Sequence, residues 1–168
     1  ALFDRGDMQF VATGGAQGTP PHQRVAHFPH SGYHVLRSDW ASADAQHLVF
    51  DCGPLGEGNH GHFDALSFEL AANGRALIVD PGRYTYSESI EQGRNWRVHF
   101  RSTAAHNTVC VDGLNQTRYV PKPVKEASRH APGSTRHKIS GPAPETTLQE
   151  AHSGERLDLL HGRCASHE

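Results

Sequence analysis

Apolar side chains alternating with small or polar ones mark the clearest strands in the chain. Leu66, Phe68 and Leu70 alternate with Ser67 and Glu69, and because successive strand side chains point to opposite faces, this pattern predicts a half-buried strand. Asn73-Gly74 supplies a two-residue turn that matches strand twist, and Ala76-Leu77-Ile78-Val79 returns as the partner. The hairpin ends at Asp80-Pro81-Gly82, where proline withdraws the donor that another ladder bond needs. The same reading predicts strands at Tyr33–Arg37 and His47–Asp51, and a third at Thr108–Val111 that closes on an Asp112-Gly113 turn. Shorter strands are expected at His137–Ser140, Thr147–Glu150 and Arg156–Leu160. Residues 1–22, rich in Gly, Pro and Thr, read as a connecting segment, and residues 23–168 as one domain.

Composition narrows the picture modestly. The 168 residues suffice for one core, and Lys+Arg 16 against Asp+Glu 18 gives no global charge that would call for nucleic acid or anionic lipid. No apolar run is long enough to span a bilayer, so no membrane contact is expected. Cys52, Cys110 and Cys164 lack Cys-x-x-Cys spacing and an even count, which favours buried apolar thiols over a zinc ribbon or a complete disulfide framework. The basic stretch from Arg118 to His137 reads as a solvated face.

Candidate chemistry concentrates in Asn59-His60-Gly61-His62-Phe63-Asp64. On a flat strand His60 and His62 share a face, and Gly58 and Gly61 permit the backbone to bend instead. A His-x-His in a Gly-rich bend suits a site and also suits an ordinary polar loop. Asp80 lies at a strand end and His106 at the predicted start of the next strand. With His62 they form a nitrogen and oxygen set that suits Zn²⁺, with a fourth position for water or substrate. Geometry sets a condition. A regular hairpin about Asn73-Gly74 puts Asp80 opposite Ser67 and leaves His62 roughly 15 Å away at strand rise, so the chain before Ala65 must leave the strand and fold back. Between Asp80 and His106, arginines such as Arg83, Arg97 and Arg101 alternate with Tyr84, Tyr86 and Trp96. Such a segment can line an anionic-sugar cleft, the alternative being a long solvated loop. Trp40 is divided evenly between a core lid and a sugar-stacking platform.

These residues carry a resemblance. His60-Gly61-His62-Phe63-Asp64 leading into Leu66–Leu70, then Val79-Asp80-Pro81-Gly82 with Tyr84 and Tyr86, then Phe100–Val109 around His106-Asn107, resembles the heparinase II/III-like polysaccharide lyases, strongly over about residues 28 to 117. The resemblance implies an all-β fold, an antiparallel, super-sandwich-like β-sandwich of which this chain is an incomplete portion. An N-terminal α/α toroid of the same protein would be its partner. It further implies a structural zinc at His62, Asp80 and His106, and His60 at the active-site cleft with a part in catalysis; beside these, Asp64 is a candidate to orient a ligand imidazole. Asn59 and Arg101 are the candidate substrate contacts. The implied reaction is β-elimination on an acidic, uronic-acid-containing polysaccharide, in a periplasmic or secreted setting. Because the tyrosine that usually serves as acid or base belongs to the toroid, the chain alone is expected to be inactive. Two readings from other classes stand beside this one: a metal-stabilised carbohydrate-binding or structural module, and a metal-dependent glycan hydrolase.

Overall fold

The computed structural model describes residues 5–56, 60–123 and 135–166. Its backbone is an antiparallel meander of five strands, in the order β1 (Val25–Phe28), β2 (Tyr33–Arg37), β3 (His47–Asp51), β4 (Phe68–Ala72) and β5 (Arg75–Ile78). β2 and β3 take the bounds that the apolar pattern predicts, with Tyr33 paired to Asp51 and Arg37 to His47. The β4–β5 turn falls on Asn73 and Gly74, whose φ values of 54° and 69° give the left-handed pair that this hairpin turn demands. One departure matters downstream. The register runs Ala72↔Arg75 and Ala71↔Ala76 and then shifts to Leu70↔Ile78, so β5 carries a bulge at Leu77 that sets Asp80 back by one position, level with Phe68 rather than Ser67.

Among the described residues three two-stranded sheets complete the strands: β6 (Ile90–Glu91) with β7 (Arg94–Asn95), β8 (Tyr119–Pro123) with β9 (Thr135–Ile139), and β10 (Glu145–Ser153) with β11 (Asp158–Ala165). The last hairpin packs face to face on the meander. A Cβ at Gly162 of β11 would lie 2.6 Å from Leu66 Cδ2, 2.9 Å from Phe50 Cζ and 3.2 Å from Cys52 Sγ, so a larger residue there would push these side chains aside. Thr146 Oγ1 donates to the Gly53 carbonyl at 2.7 Å and ties the same two layers. The architecture is an all-β, antiparallel sandwich, as expected.

Three expectations are corrected. Thr108–Val111 forms no strand: Val109 and Val111 are exposed and pair with no strand among the described residues, although the predicted turn at Asp112-Gly113 is present, with φ of 53° and 73°. The β-branched residues suit a strand, but no partner edge among the described residues lies beside it. Cys110 is exposed, whereas Cys52 is buried and Cys164 intermediate. Two short helices were not foreseen. The helix α1 (Gly6–Ala12), with no buried residue, lies in the connecting segment. The helix α2 (Trp96–Arg101) is capped by Asn95, whose side chain accepts from the Val98 N–H at 3.1 Å. Trp40 is half-buried; its indole N–H donates to the Gln23 carbonyl, and Arg37 lies over its ring at 4.7 Å. Among the described residues no helix is long and apolar enough to cross a membrane.

Candidate functional site

The chain folds back where the sequence reading required it. Leu66 adopts φ of 63°, Ser67 N–H donates to the Asp64 carbonyl at 2.9 Å, and Leu66 N–H donates to the Asp51 carbonyl at 2.8 Å. These contacts turn the chain away from β4 and carry His60 to Asp64 over the end of the sheet. Gly61 does not use positive φ. It is needed for space, because a Cβ there would lie 2.2 Å from the Gly56 carbonyl oxygen.

Residues far along the sequence pin this bend. Arg101 Nε donates to the Gly61 carbonyl at 2.6 Å while the Arg101 carbonyl accepts from Phe63 N–H at 3.0 Å. Phe63 is fully buried against the edge of Tyr119, at a centroid separation of 5.2 Å. The Gln116 amide grips Ala65 twice, accepting from its N–H at 2.9 Å and donating to its carbonyl at 3.0 Å. Thr108 Oγ1 adds a 2.6 Å bond to that carbonyl. Asn107 donates to the carbonyls of Phe68 and Val79 and so holds β4 and β5 beside the site. Arg101, expected to contact substrate, is buried at 4% exposure and holds the bend through the Gly61 carbonyl. The other expected substrate contact, Asn59, lies outside the described residues.

The bend brings His62 against His106, with rings stacked at 5.1 Å and 27°. Asp80 Oδ2 bonds His106 Nδ1 at 2.6 Å, and Asp64 Oδ2 lies 4.0 Å from His62 Nδ1. All four side chains therefore meet, but the two carboxylates are placed differently from the sequence expectation. His62, Asp64 and His106 offer ligand atoms within 4.8 Å of one another, while Asp80 orients His106. The His106 side chain is 0% exposed and its Nε2 has no hydrogen-bond partner among the described residues. Burial, then the neighbouring His106, drops His62 to a pKa of about 4, so the ring is neutral and its lone pair available at pH 7. Burial pushes Asp80 upward, but the hydrogen bonds from His106 and the Gly82 N–H outweigh it, and its carboxyl titrates below the ordinary value. Burial raises Asp64. Two imidazoles with carboxylates around a buried, unsatisfied nitrogen form a donor set that fits Zn²⁺.

His60 differs from its neighbours. It is exposed at the rim, and the Tyr86 hydroxyl lies 3.3 Å from its Nδ1. Beside it, Arg83 stacks over the Tyr86 ring at 3.5 Å and α2 supplies Arg97. The segment between Asp80 and His106 is exposed at Tyr84, Tyr86 and Ile90 and ordered by these contacts and by α2. Sequence reading missed Gln116 altogether and gave Asp64 only an orienting role; a buried glutamine at long range leaves no periodic signal.

Residues 20–163 match the sequence model of the family described as "Heparinase II/III-like, C-terminal". Two curated relatives carry the name heparin-sulfate lyase. The protein from Bacteroides stercoris is 38% identical over 120 residues, covering 68% of this chain and 17% of its own length, and that from Bacteroides thetaiotaomicron is 31% identical over 125 residues, covering 70% and 18%. Among solved structures, the heparan sulfate lyase HepC from Pedobacter heparinus superposes with a TM-score of 0.72 at 25% identity, over 99% of this chain and 22% of that one. The chain thus spans about a fifth of the length of these relatives.

Proposed function

The chain belongs to the heparinase II/III-like C-terminal family, and from that premise we propose that it is the β-sandwich portion of a polysaccharide lyase that cleaves a uronic-acid-containing polysaccharide by β-elimination. The observation that carries this reading is the contrast within one bend: His60 exposed at the rim, and His62 two residues on, packed into a buried cluster with His106. A reactive imidazole needs access to substrate and a fixed backbone beneath it, and the bend supplies both. The names of the relatives point to a heparin- or heparan-type substrate.

His62, Asp64 and His106 would hold a zinc ion, with Asp80, the expected ligand, bonded to His106 Nδ1 and orienting its ring. The ion's part is structural: it would satisfy the buried His106 Nε2 and lock the loop carrying His60 to the end of β5. The elimination itself falls to side chains. Neutralising the uronate carboxylate acidifies the C5 proton; a base removes it, the electron pair forms the C4–C5 double bond, and an acid protonates the departing O4. His60 takes one of these proton-transfer roles. The other belongs to a tyrosine of an N-terminal α/α toroid in the same protein, and a periplasmic or secreted location follows from such a substrate.

The test uses the protein with its toroid, heparan sulfate, and the ultraviolet absorbance of unsaturated uronate. His60→Ala with fold and metal content retained should lose about 100-fold or more in turnover, as for removal of a general acid or base. An unchanged rate refutes the role of His60. A saturated product would instead indicate metal-dependent hydrolysis, and binding without product a carbohydrate-binding module.

A further inference from the structure

The geometry points to Tyr86 as a positioning residue for His60, a role that rests on the lyase reading and extends it. His60 is exposed, and an imidazole on an exposed bend can rotate about two side-chain torsions. Tyr86 restrains it: the hydroxyl lies 3.3 Å from Nδ1, and the rings meet edge to face at 5.7 Å and 70°. With Nδ1 engaged, Nε2 is the nitrogen left for substrate.

Tyr86 is itself held from two directions. The Arg83 guanidinium stacks on its ring at 3.5 Å, and Arg97, buried on α2, donates from a terminal nitrogen to the Tyr86 carbonyl at 3.3 Å. Glu88 anchors Arg97 in turn. One carboxylate oxygen lies 3.6 Å from Arg97 Nε, and the other accepts from the His137 backbone N–H at 2.8 Å and lies 2.9 Å from His137 Nδ1. A relay of charged and aromatic contacts therefore runs from β9 through Glu88 and Arg97 to Tyr86 and ends on His60. An exposed tyrosine that served only solubility would need none of it.

The role predicts a specific pattern in the protein with its toroid. Tyr86→Phe keeps the ring on which Arg83 stacks and removes only the hydroxyl. With heparan sulfate as substrate, kcat should fall about tenfold, the rate equivalent of one hydrogen bond, with KM changed less than about twofold. In a His60→Ala background the same substitution should cost nothing further, because Tyr86 acts through the imidazole. A full additional loss in that background, or a rise in KM alone, would mean that Tyr86 contacts substrate directly and overturns the proposal. A second measurement stands apart from catalysis: the ¹⁵N resonances of the His60 ring, assigned by their disappearance in His60→Ala, should shift in Tyr86→Phe. Unchanged resonances overturn the proposal even if the protein proves to be no lyase. Absence of unsaturated product from the wild type, with the shift observed, defeats the lyase reading and leaves the contact standing.

Discussion

Gln116 offers the sharpest test of how the site is built. Its side-chain amide makes two hydrogen bonds to the buried backbone of Ala65, at 2.9 and 3.0 Å, across 51 positions of sequence. Replacing it with leucine keeps much of the volume and removes both. Ala65 N–H then has no acceptor in a position from which water is excluded, and leaving a buried donor unmade costs about 1–3 kcal/mol. The Ala65 carbonyl retains Thr108 Oγ1 at 2.6 Å, so its share of the loss is only the net worth of one bond, about 0.5–1.5 kcal/mol. The sum is about 2–4 kcal/mol, which for a domain of this size lowers the midpoint of thermal unfolding by roughly 5–15 °C. Urea denaturation of the purified metal-free protein reads the free energy directly. Gln116→Glu is the informative companion: at neutral pH it buries a charge that faces the Ala65 carbonyl and should cost at least as much as leucine, whereas once protonated it offers both an acceptor and a donor and the cost should shrink. A loss below about 0.5 kcal/mol for Gln116→Leu, or a Gln116→Glu loss that does not change with pH, would refute the claim that this amide secures the bend.

Elemental analysis should find about one zinc per chain, consistent with one tetrahedral site, and none in His62→Ala or His106→Ala; metal-free wild type after zinc is supplied would return the cluster to an ordinary polar contact. Asp64→Asn and Asp80→Asn separate the two carboxylates: zinc should be lost from Asp64→Asn, whose carboxylate lies in the donor cluster, and held more weakly by Asp80→Asn, which orients His106; loss from Asp80→Asn alone would refute this assignment. Gly61→Ala should abolish zinc binding in protein that still folds, because the added Cβ would lie 2.2 Å from the Gly56 carbonyl oxygen and must displace the backbone between the two histidines; normal zinc content would show that the bend can yield. Burial, with a further push from Asp64, raises the Asp51 carboxyl to about 6. A folded-state pKa above the ordinary 3.8 means that the folded chain holds this proton more tightly than the unfolded one, so its contribution to stability falls as pH rises from about 4 to about 6. Asp51→Asn, which still accepts from the Gly53 N–H, should remove that fall in metal-free protein, and stability curves for wild type and variant that run parallel across this window would refute it.

The strands were legible because the signals that make them are local. β2 and β3 follow from alternation alone, and the β4–β5 turn from a dipeptide whose backbone preference decides the geometry. What could not be read was anything decided by a partner distant in sequence. Thr108–Val111 has the composition of a strand and lies in a loop, since a strand needs an edge to pair with and none among the described residues lies alongside. The bulge at Leu77 is likewise invisible in the pattern, yet it sets where Asp80 emerges. Arg101 was read as a substrate arginine because arginines near a cleft so often are; its neighbours Phe63, Gly61 and Tyr119 instead enclose it.

The same distinction explains why the clustered histidines could be named from sequence while their arrangement could not. Histidine and aspartate in a Gly-rich bend and at a strand end announce donor chemistry wherever they fall. Which carboxylate faces which nitrogen depends on how far the bend travels, and that is fixed by Arg101 gripping Gly61 from 40 residues away, Thr108 gripping Ala65 from 43 and Gln116 from 51. Each of these staples comes from the segment that also carries His106, so one stretch of chain both supplies a donor and holds the opposing donors in reach. Loss of any staple should therefore weaken metal binding without touching a ligand, whereas Tyr86, outside this frame, should leave metal binding intact and act on His60 alone.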